Sequence, residues 1–337
     1  MKKNKVVTVG FDGFIDTIVR PIKTTGKDGD KFFETIREFG EFIASKADVS
    51  CSIELLEEKR KFGGNMPHLA YSLAQKGVTV NAVGMLGKNG ITKEFEELAK
   101  ICNVFSYDGE GVATALEFND GKVFFAPKIK ADYDVFEKIS QVFDVRNFVN
   151  NDAFILVNYS ELEFSYKLWN DIYIKVFKET LVDKSKFVFF DLCDCGRKED
   201  EEIKEVLKLI SLYNEKRTAV LSLNENEANI LCKAYDMDIT SLEEVCLKLR
   251  EILDIDEIII HTTKKSVIST VNWDISLNTD YIEKPLISTG SGDNFNASFV
   301  YAKVNGNSPS ECLRLANYGA YFYVKNAKCA TIDDMNI

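Results

Sequence analysis

Along this chain the spacing of apolar residues switches repeatedly between two periods. Short continuous apolar runs at residues 5–10, 78–83, 153–158, 187–191, 219–223 and 258–261 predict buried strands. Between them, apolar residues recur every three to four positions over 67–76, 164–181, 201–213, 225–234 and 242–253, which predicts amphipathic helices. That alternation predicts an α/β fold in which a mostly parallel sheet carries crossover helices on both faces. Two regions break the alternation, residues 17–61 and 107–133. Within the second, 114–118 and 123–126 flank Asn119-Asp120-Gly121, whose turn chemistry predicts a hairpin. Strands without helices predict a small accessory sheet, and the apolar residues Phe118, Val123 and Phe125 on it need a cover. No Pro/Gly/Ser linker, internal repeat or low-complexity tract divides the 337 residues, so one domain is expected.

Composition narrows the partners. At 45% apolar and 28% charged residues, the chain can bury a substantial core. A net charge of -11 argues against nucleic acid and anionic membrane surfaces but leaves metal-bridged polyphosphates open. The basic start, residues 1–5, runs directly into a strand and no apolar run reaches spanning length, so a cytoplasmic protein without a signal peptide is expected. The eight cysteines are scattered, as reduced thiols are, and Cys193 and Cys195 are the only close pair. The two histidines, His68 and His261, are remote from them in sequence, which argues against structural zinc.

Four segments carry candidate chemistry. In Thr289-Gly290-Ser291-Gly292-Asp293, the preceding stretch 280–288 reads as extended, and Phe295, Phe299 and Ala302 follow at helical spacing. Backbone amides at such a glycine turn, aligned with the helix dipole, form a phosphate cradle, and Asp293 at its lip can take a proton or simply cap the helix. The Gly63-Gly64-Asn65 turn feeds a helix with Pro67 in its first turn and presents Asn65 and His68, whose imidazole can charge near neutral pH. Asp12 and Asp16 follow the first strand, where open α/β sheets bind ligands. If that stretch stays extended they lie about 13 Å apart, and only one grips a small substrate. Asn224 and Glu227 open a helix either as a capping box or with Glu227 organising hydrated magnesium.

Taken in order, these segments resemble the ribokinase-like (PfkB-type) carbohydrate kinase family, over nearly the whole chain. The resemblance implies a three-layer α/β/α sandwich with a small β-sheet lid, often a dimer through that lid, and magnesium- and ATP-dependent phosphorylation of a small sugar-like alcohol, with a monovalent cation as a further candidate. It implies Asp293 as catalytic base and Gly290, Ser291 and Gly292 as the anion hole. Asp12, Asp16, Gly63, Gly64, Asn65 and His68 would lie on the substrate side. Glu227 would organise magnesium, and Asn224, Thr262 and Asn317, the last on a helix over 311–323, would lie near the nucleotide. Asp191 and Arg197 resemble a looser Asp-x-Asn-x-Arg element of some members.

The chain also departs from that pattern. His68 stands where asparagine is usual, Asn89 and Ile287 where aspartates are usual, and the stretch from His261 to Ser266 lacks both glycines of the family's nucleotide loop. A sugar or sugar-alcohol kinase is the leading expectation. The alternatives are a nucleoside kinase and a non-catalytic sugar-binding or regulatory member. A dehydrogenase and a Walker-type ATPase are disfavoured, because neither fingerprint is present.

Overall fold

A computed structural model of the chain describes residues 4–27, 29–129, 134–238, 241–287 and 289–335. Residues 130–133 of the second lid segment, and Ser288 before the glycine turn, therefore lie outside the described residues. The strands are β1 (Val6–Gly10), β2 (Phe14–Thr24), β3 (Lys31–Phe32), β4 (Leu55–Gly63), β5 (Thr79–Gly84), β6 (Asn103–Ser106), β7 (Gly111–Phe118), β8 (Gly121–Phe125), β9 (Ala153–Leu156), β10 (Phe187–Asp191), β11 (Thr218–Asn224), β12 (Glu257–His261), β13 (Lys265–Thr270) and β14 (Asp274–Asn278). Nine of them form one sheet in the order β14-β13-β12-β11-β10-β9-β1-β5-β6. Its pairings are parallel except at the β12–β13 and β13–β14 edge.

Alternation along each central strand feeds two cores. Phe154, Leu156, Val188, Phe190, Leu221 and Leu223 pack under the helices Ser165–Ile172, Asp200–Asn214, Glu225–Ala234 and Leu242–Leu253. Ile155, Phe187, Phe189, Val220 and Ile259 face the opposite way, under Asn65–Gln75, Ser291–Val304 and Pro309–Asn326. This is the three-layer sandwich. Ser291–Val304 is buried nearly all round, which brings Asp293, Asn294 and Asn296 into the interior.

β2, β3, β4, β7 and β8 form the small separate sheet, so the lid begins at Phe14. The hairpin lies where expected, with Phe118 paired to Gly121 across Asn119-Asp120. Phe118 and Val123 do not wait for a partner, because they pack with Val19, Phe33 and Leu116 beneath Phe39 and Phe42 of the lid's own helix, Ile36–Ala44.

Three expectations need correction. The stretch 280–287 is not a strand, and the chain reaches the glycine turn through a long loop after β14. Helix 164–181 stops earlier, at Ile172, and a wider turn Tyr173–Phe177 continues it. The segment from His261 to Ser266 is a tight hairpin between β12 and β13, in which Thr262 N donates to Lys265 O at 2.8 Å.

Candidate active site

The site forms where β1, β9, β10 and β11 end and the lid begins, at the carboxyl edge of the large sheet. Asp12 lies in the crossing from β1 to β2 and is fully buried. Its carboxylate accepts from Asn65 N and Met66 N at 2.8 Å each and from Asn158 Nδ2 at 2.9 Å. It thereby caps a helix from outside, since Gly64 offers no side chain to do so. Burial pushes its carboxyl up to about 6 against the lowering effect of these donors.

The paired glycines are required by both aspartates. A β-carbon on Gly63 would fall 2.4 Å from Asp16 Oδ1, and one on Gly64 would fall 2.3 Å from Asp12 Oδ2. Gly64 also holds φ +90. Both carboxylates therefore pack against consecutive glycines of one turn. Asp16, on β2, faces Lys61 of β4; burial raises its carboxyl, and Lys61 and Lys122 lower it.

Asn65 reaches across to the glycine turn, its Nδ2 donating to Asp293 Oδ1 at 3.1 Å. Asp293 is the third residue of the Ser291–Val304 helix, with Gly290 before it at φ +91. A β-carbon on Gly290 would lie 3.0 Å from the Tyr323 hydroxyl, which itself donates to Thr289 O at 3.1 Å. Burial first, then the charge of Asp191, holds the Asp293 carboxyl well above the ordinary range. Beside the turn, the His261 ring lies 4.5 Å from that of Phe295, tilted by 30°.

A second carboxylate group faces Asp293. Asp191, at the end of β10, accepts from Asn296 Nδ2 at 2.6 Å and Cys193 N at 2.8 Å, and burial pushes it up to about 6. Glu227 completes the capping box: its oxygens accept from Asn224 N at 2.9 Å and Asn224 Nδ2 at 2.8 Å, while its own amide donates to Asn224 Oδ1 at 3.0 Å. Burial and then Asp191 push Glu227 up to about 9. Among the described residues no three His, Cys, Asp or Glu side chains converge as a closed metal cage. Buried acids that raise one another suit a hydrated magnesium ion, which takes one or two carboxylates and keeps its waters; Glu227, with Asp191 behind it, fits that role.

Other expected residues divide. His68 lies beside Phe62, ring centroids 5.1 Å apart, and burial and then Lys61 push its imidazole down to about 4, so it stays neutral. Thr262 spends its hydroxyl on the hairpin, donating to Lys265 O and accepting from Lys264 N and Lys265 N. Asn317, on the Pro309–Asn326 helix, has a buried Oδ1 with no protein partner. Arg197 pairs with Glu161 at the surface, away from Asp191.

Asn158 escaped the sequence reading, which took it as the last residue of a strand. It is 2% exposed at φ +59, its Nδ2 is held by Asp12, and its Oδ1 has no protein partner. A polar residue closing an apolar run at the carboxyl end of a central strand was the signal available.

The α/β sandwich with its small separate sheet is shared with solved sugar kinases. The ribokinase of Thermotoga maritima superposes with a TM-score of 0.65 at 15% identity, covering 99% of this chain and 98% of that one. A putative ribokinase II from E. coli, solved in complex with ATP and Mg2+, gives 0.66 at 14% identity over 99% and 98%. The ketohexokinase of Haloferax volcanii is 21% identical over 98% of this chain and 89% of its own length. The model of the prokaryotic ketohexokinase family matches residues 1–337, and the chain belongs to that family. It is a carbohydrate kinase of ribokinase fold. Among the described residues, no helix is long and apolar enough to cross a membrane.

Proposed function

We propose that the protein transfers the γ-phosphoryl group of ATP to a hydroxyl of a ketohexose, with Asp293 as the general base. The observation that supports this reading is the hydrogen bond from Asn65 to Asp293, which joins the two glycine-preceded helix starts. The acceptor would lie between Asn65, Asp16 and the unpartnered Oδ1 of Asn158, under the lid. Asp293 Oδ takes the hydroxyl proton as the oxygen attacks phosphorus and the bond to the ADP oxygen breaks. The amides of the Gly290-Ser291-Gly292 turn stabilise the charge on the transferring group. Glu227 would hold magnesium, which would supply charge neutralisation there. Asn317 and Asn224 border the nucleotide, and His261, where the family's glycine-rich loop is absent, gives that side a wall of rings.

The ketohexose is proposed because the matching family and the Haloferax relative carry that name. An ADP-release screen against pentoses, ketohexoses, aldohexoses, sugar acids, inositols and nucleosides tests it. A ketohexose giving the highest kcat/KM is the expected result. Preference for a nucleoside would move the acceptor, and sugar binding without any turnover would favour a regulatory role.

A further inference from the structure

Behind the glycine turn lies a buried ammonium that the mechanism above does not use. Lys76, the residue following the Asn65–Gln75 helix, is 1% exposed. Its Nζ donates to Ser72 O at 3.1 Å and Ser72 Oγ at 2.8 Å, and among the described residues it has no ion-pair partner. Burying a charge is costly unless hydrogen bonds or an ion pair compensate it, and here the two bonds to Ser72 do so. Ser72 Oγ in turn donates to Asn294 Oδ1 at 2.8 Å, and Asn294 Nδ2 donates to Gly290 O at 2.9 Å. Ser72 and Asn294 are both buried.

The direction of this chain is fixed from its charged end. An ammonium can only donate, so the Ser72 oxygen accepts from it and keeps its single proton for Asn294 Oδ1, with the Cys329 thiol as the other neighbour of both side chains. Asn294 therefore turns its oxygen to Ser72 and its NH2 to Gly290. Without the ammonium, Ser72 could accept from a flipped Asn294, which would set amide oxygen against the Gly290 carbonyl. In a planar trans peptide the Gly290 carbonyl and the Ser291 amide point in opposite directions. Gly290 O also accepts from Asn294 N at 3.1 Å, so the backbone and side chain of one residue together hold the carbonyl inward and turn the Ser291 N–H outward, at the anion cradle. Successive donors polarise one another along such a chain.

We propose that Lys76 is a positioning residue for the phosphoryl-transfer turn, acting through Ser72 and Asn294 to orient the Gly290–Ser291 peptide. This rests on the kinase reading for its catalytic consequence, but not for its effect on anion binding. The competing role is that of a cation closing its own helix, through Ser72 O and the helix dipole. The titratable groups facing Lys76 are Cys329 and Asp334, both on the segment after the last helix; burial lowers the ammonium to about 8, which leaves it charged at neutral pH.

The test compares Lys76→Met, Ser72→Ala and the double variant in two assays. One is turnover with magnesium-ATP and a ketohexose; the other is calorimetric binding of ADP with aluminium fluoride, against ADP alone. Loss of one oxyanion donor costs about 10²–10³-fold in kcat, so misaiming one should cost about 10- to 100-fold. Both single variants should show that fall with acceptor KM within about twofold, and the double variant should be no worse, since the residues act as one unit. Affinity for the fluoride complex should fall while that for ADP alone holds. Ammonium chloride should partly restore Lys76→Ala but not Ser72→Ala. A lowered Tm with unchanged kcat and unchanged fluoride-complex affinity would overturn the proposal and leave a helix cap. If the unaltered protein phosphorylates nothing, the kinase reading fails, and the binding assay still decides the role of Lys76. Should Lys76→Met not fold, Ser72→Ala alone carries both comparisons.

Discussion

The side-chain amide of Asn65 and the carboxylate of Asp293 are hydrogen-bonded at 3.1 Å across a sequence separation of 228 residues. The bond ties the start of one helix, set by Asp12, to the start of another, set by Gly290. Because burial and Asp191 raise Asp293, it is a stronger base once ionised than an exposed aspartate. Asp293→Asn keeps the shape and removes the base, so kcat should fall about 10²- to 10⁴-fold. Acceptor binding, followed by calorimetry, should persist. Near-normal turnover would reduce Asp293 to a residue of the helix start.

Glu227 and Asp191 make stability depend on pH in a defined direction. Both are acids whose folded values are raised, to about 9 and about 6. The unfolded chain therefore loses these protons first, and their contribution to stability is complete below the unfolded values and lost as pH rises through the folded ones. Above the histidine range, magnesium-free protein should show a Tm that declines from about pH 7 to about pH 9, as Glu227 loses its proton. Magnesium should oppose that decline by favouring the ionised acids. Glu227→Gln retains the capping box, since glutamine also closes it. The variant should flatten the upper part of the pH profile and need more magnesium for half-maximal rate. An unchanged magnesium requirement would confine Glu227 to the cap.

What the sequence disclosed follows from how local each feature is. Residues 187–191 and 242–253 read correctly to the residue, because a strand buried on both faces and an amphipathic helix carry their own periods. Gly290 to Asp293 was legible because the turn is a local need. The 280–288 stretch misled because Tyr281 and Leu286 look like strand residues, yet both are exposed and pair with nothing regular. Asn158 was invisible for another reason: its meaning depends on Asp12, 146 residues away, and on having no partner for one atom. Lys76 likewise reads as the polar end of a helix until the packing of Ser291–Val304 against that helix buries it.

Asn158 gives a prediction about the acceptor alone. Its Oδ1 has no protein partner while its Nδ2 donates to Asp12, and in the proposed reaction a sugar hydroxyl would supply the missing donor. A buried acceptor left unpaired costs about 1–3 kcal/mol, which a ligand can recover. Asn158→Ala should raise acceptor KM about tenfold or more, in line with that range, while ATP KM holds. Equal changes in both constants would mark general loosening of the site.

The lid leaves apolar side chains in solvent after its own helix has covered Phe118 and Val123. Leu55, Leu56, Val112, Phe124 and Phe125 are all more than a third exposed. Phe124 shares a face of the lid sheet with Asp16, by the pairings Ala115 to Phe124 and Asp16 to Ala113. Pairing of two lids would cover it and make a homodimer. Phe124→Glu should then convert a dimer to monomer by light scattering at micromolar concentration, with a rise in acceptor KM as the lid loses support. A monomeric parent would remove the lid as an interface.

His68, expected on the substrate side, carries a prediction about pH. An ordinary histidine there would charge near 6.5 and make acceptor KM vary between about pH 5.5 and 7.5. Burial and the neighbouring Lys61 hold this one near 4 instead, with its ring against Phe62. A base whose folded value is lowered loses stability as pH falls through the unfolded value, because the unfolded chain then binds the proton the folded one refuses. Two outcomes follow. Acceptor KM should be flat across pH 5.5–7.5, with neutral imidazole as a fixed hydrogen-bonding group, and Tm should fall on acidification below about pH 6.5. In His68→Asn the KM profile should stay flat and that acid decline should shrink. A KM that climbs or falls about tenfold across that range in the parent, and not in His68→Asn, would show the imidazole titrating inside the pocket and reverse the assignment of a neutral ring.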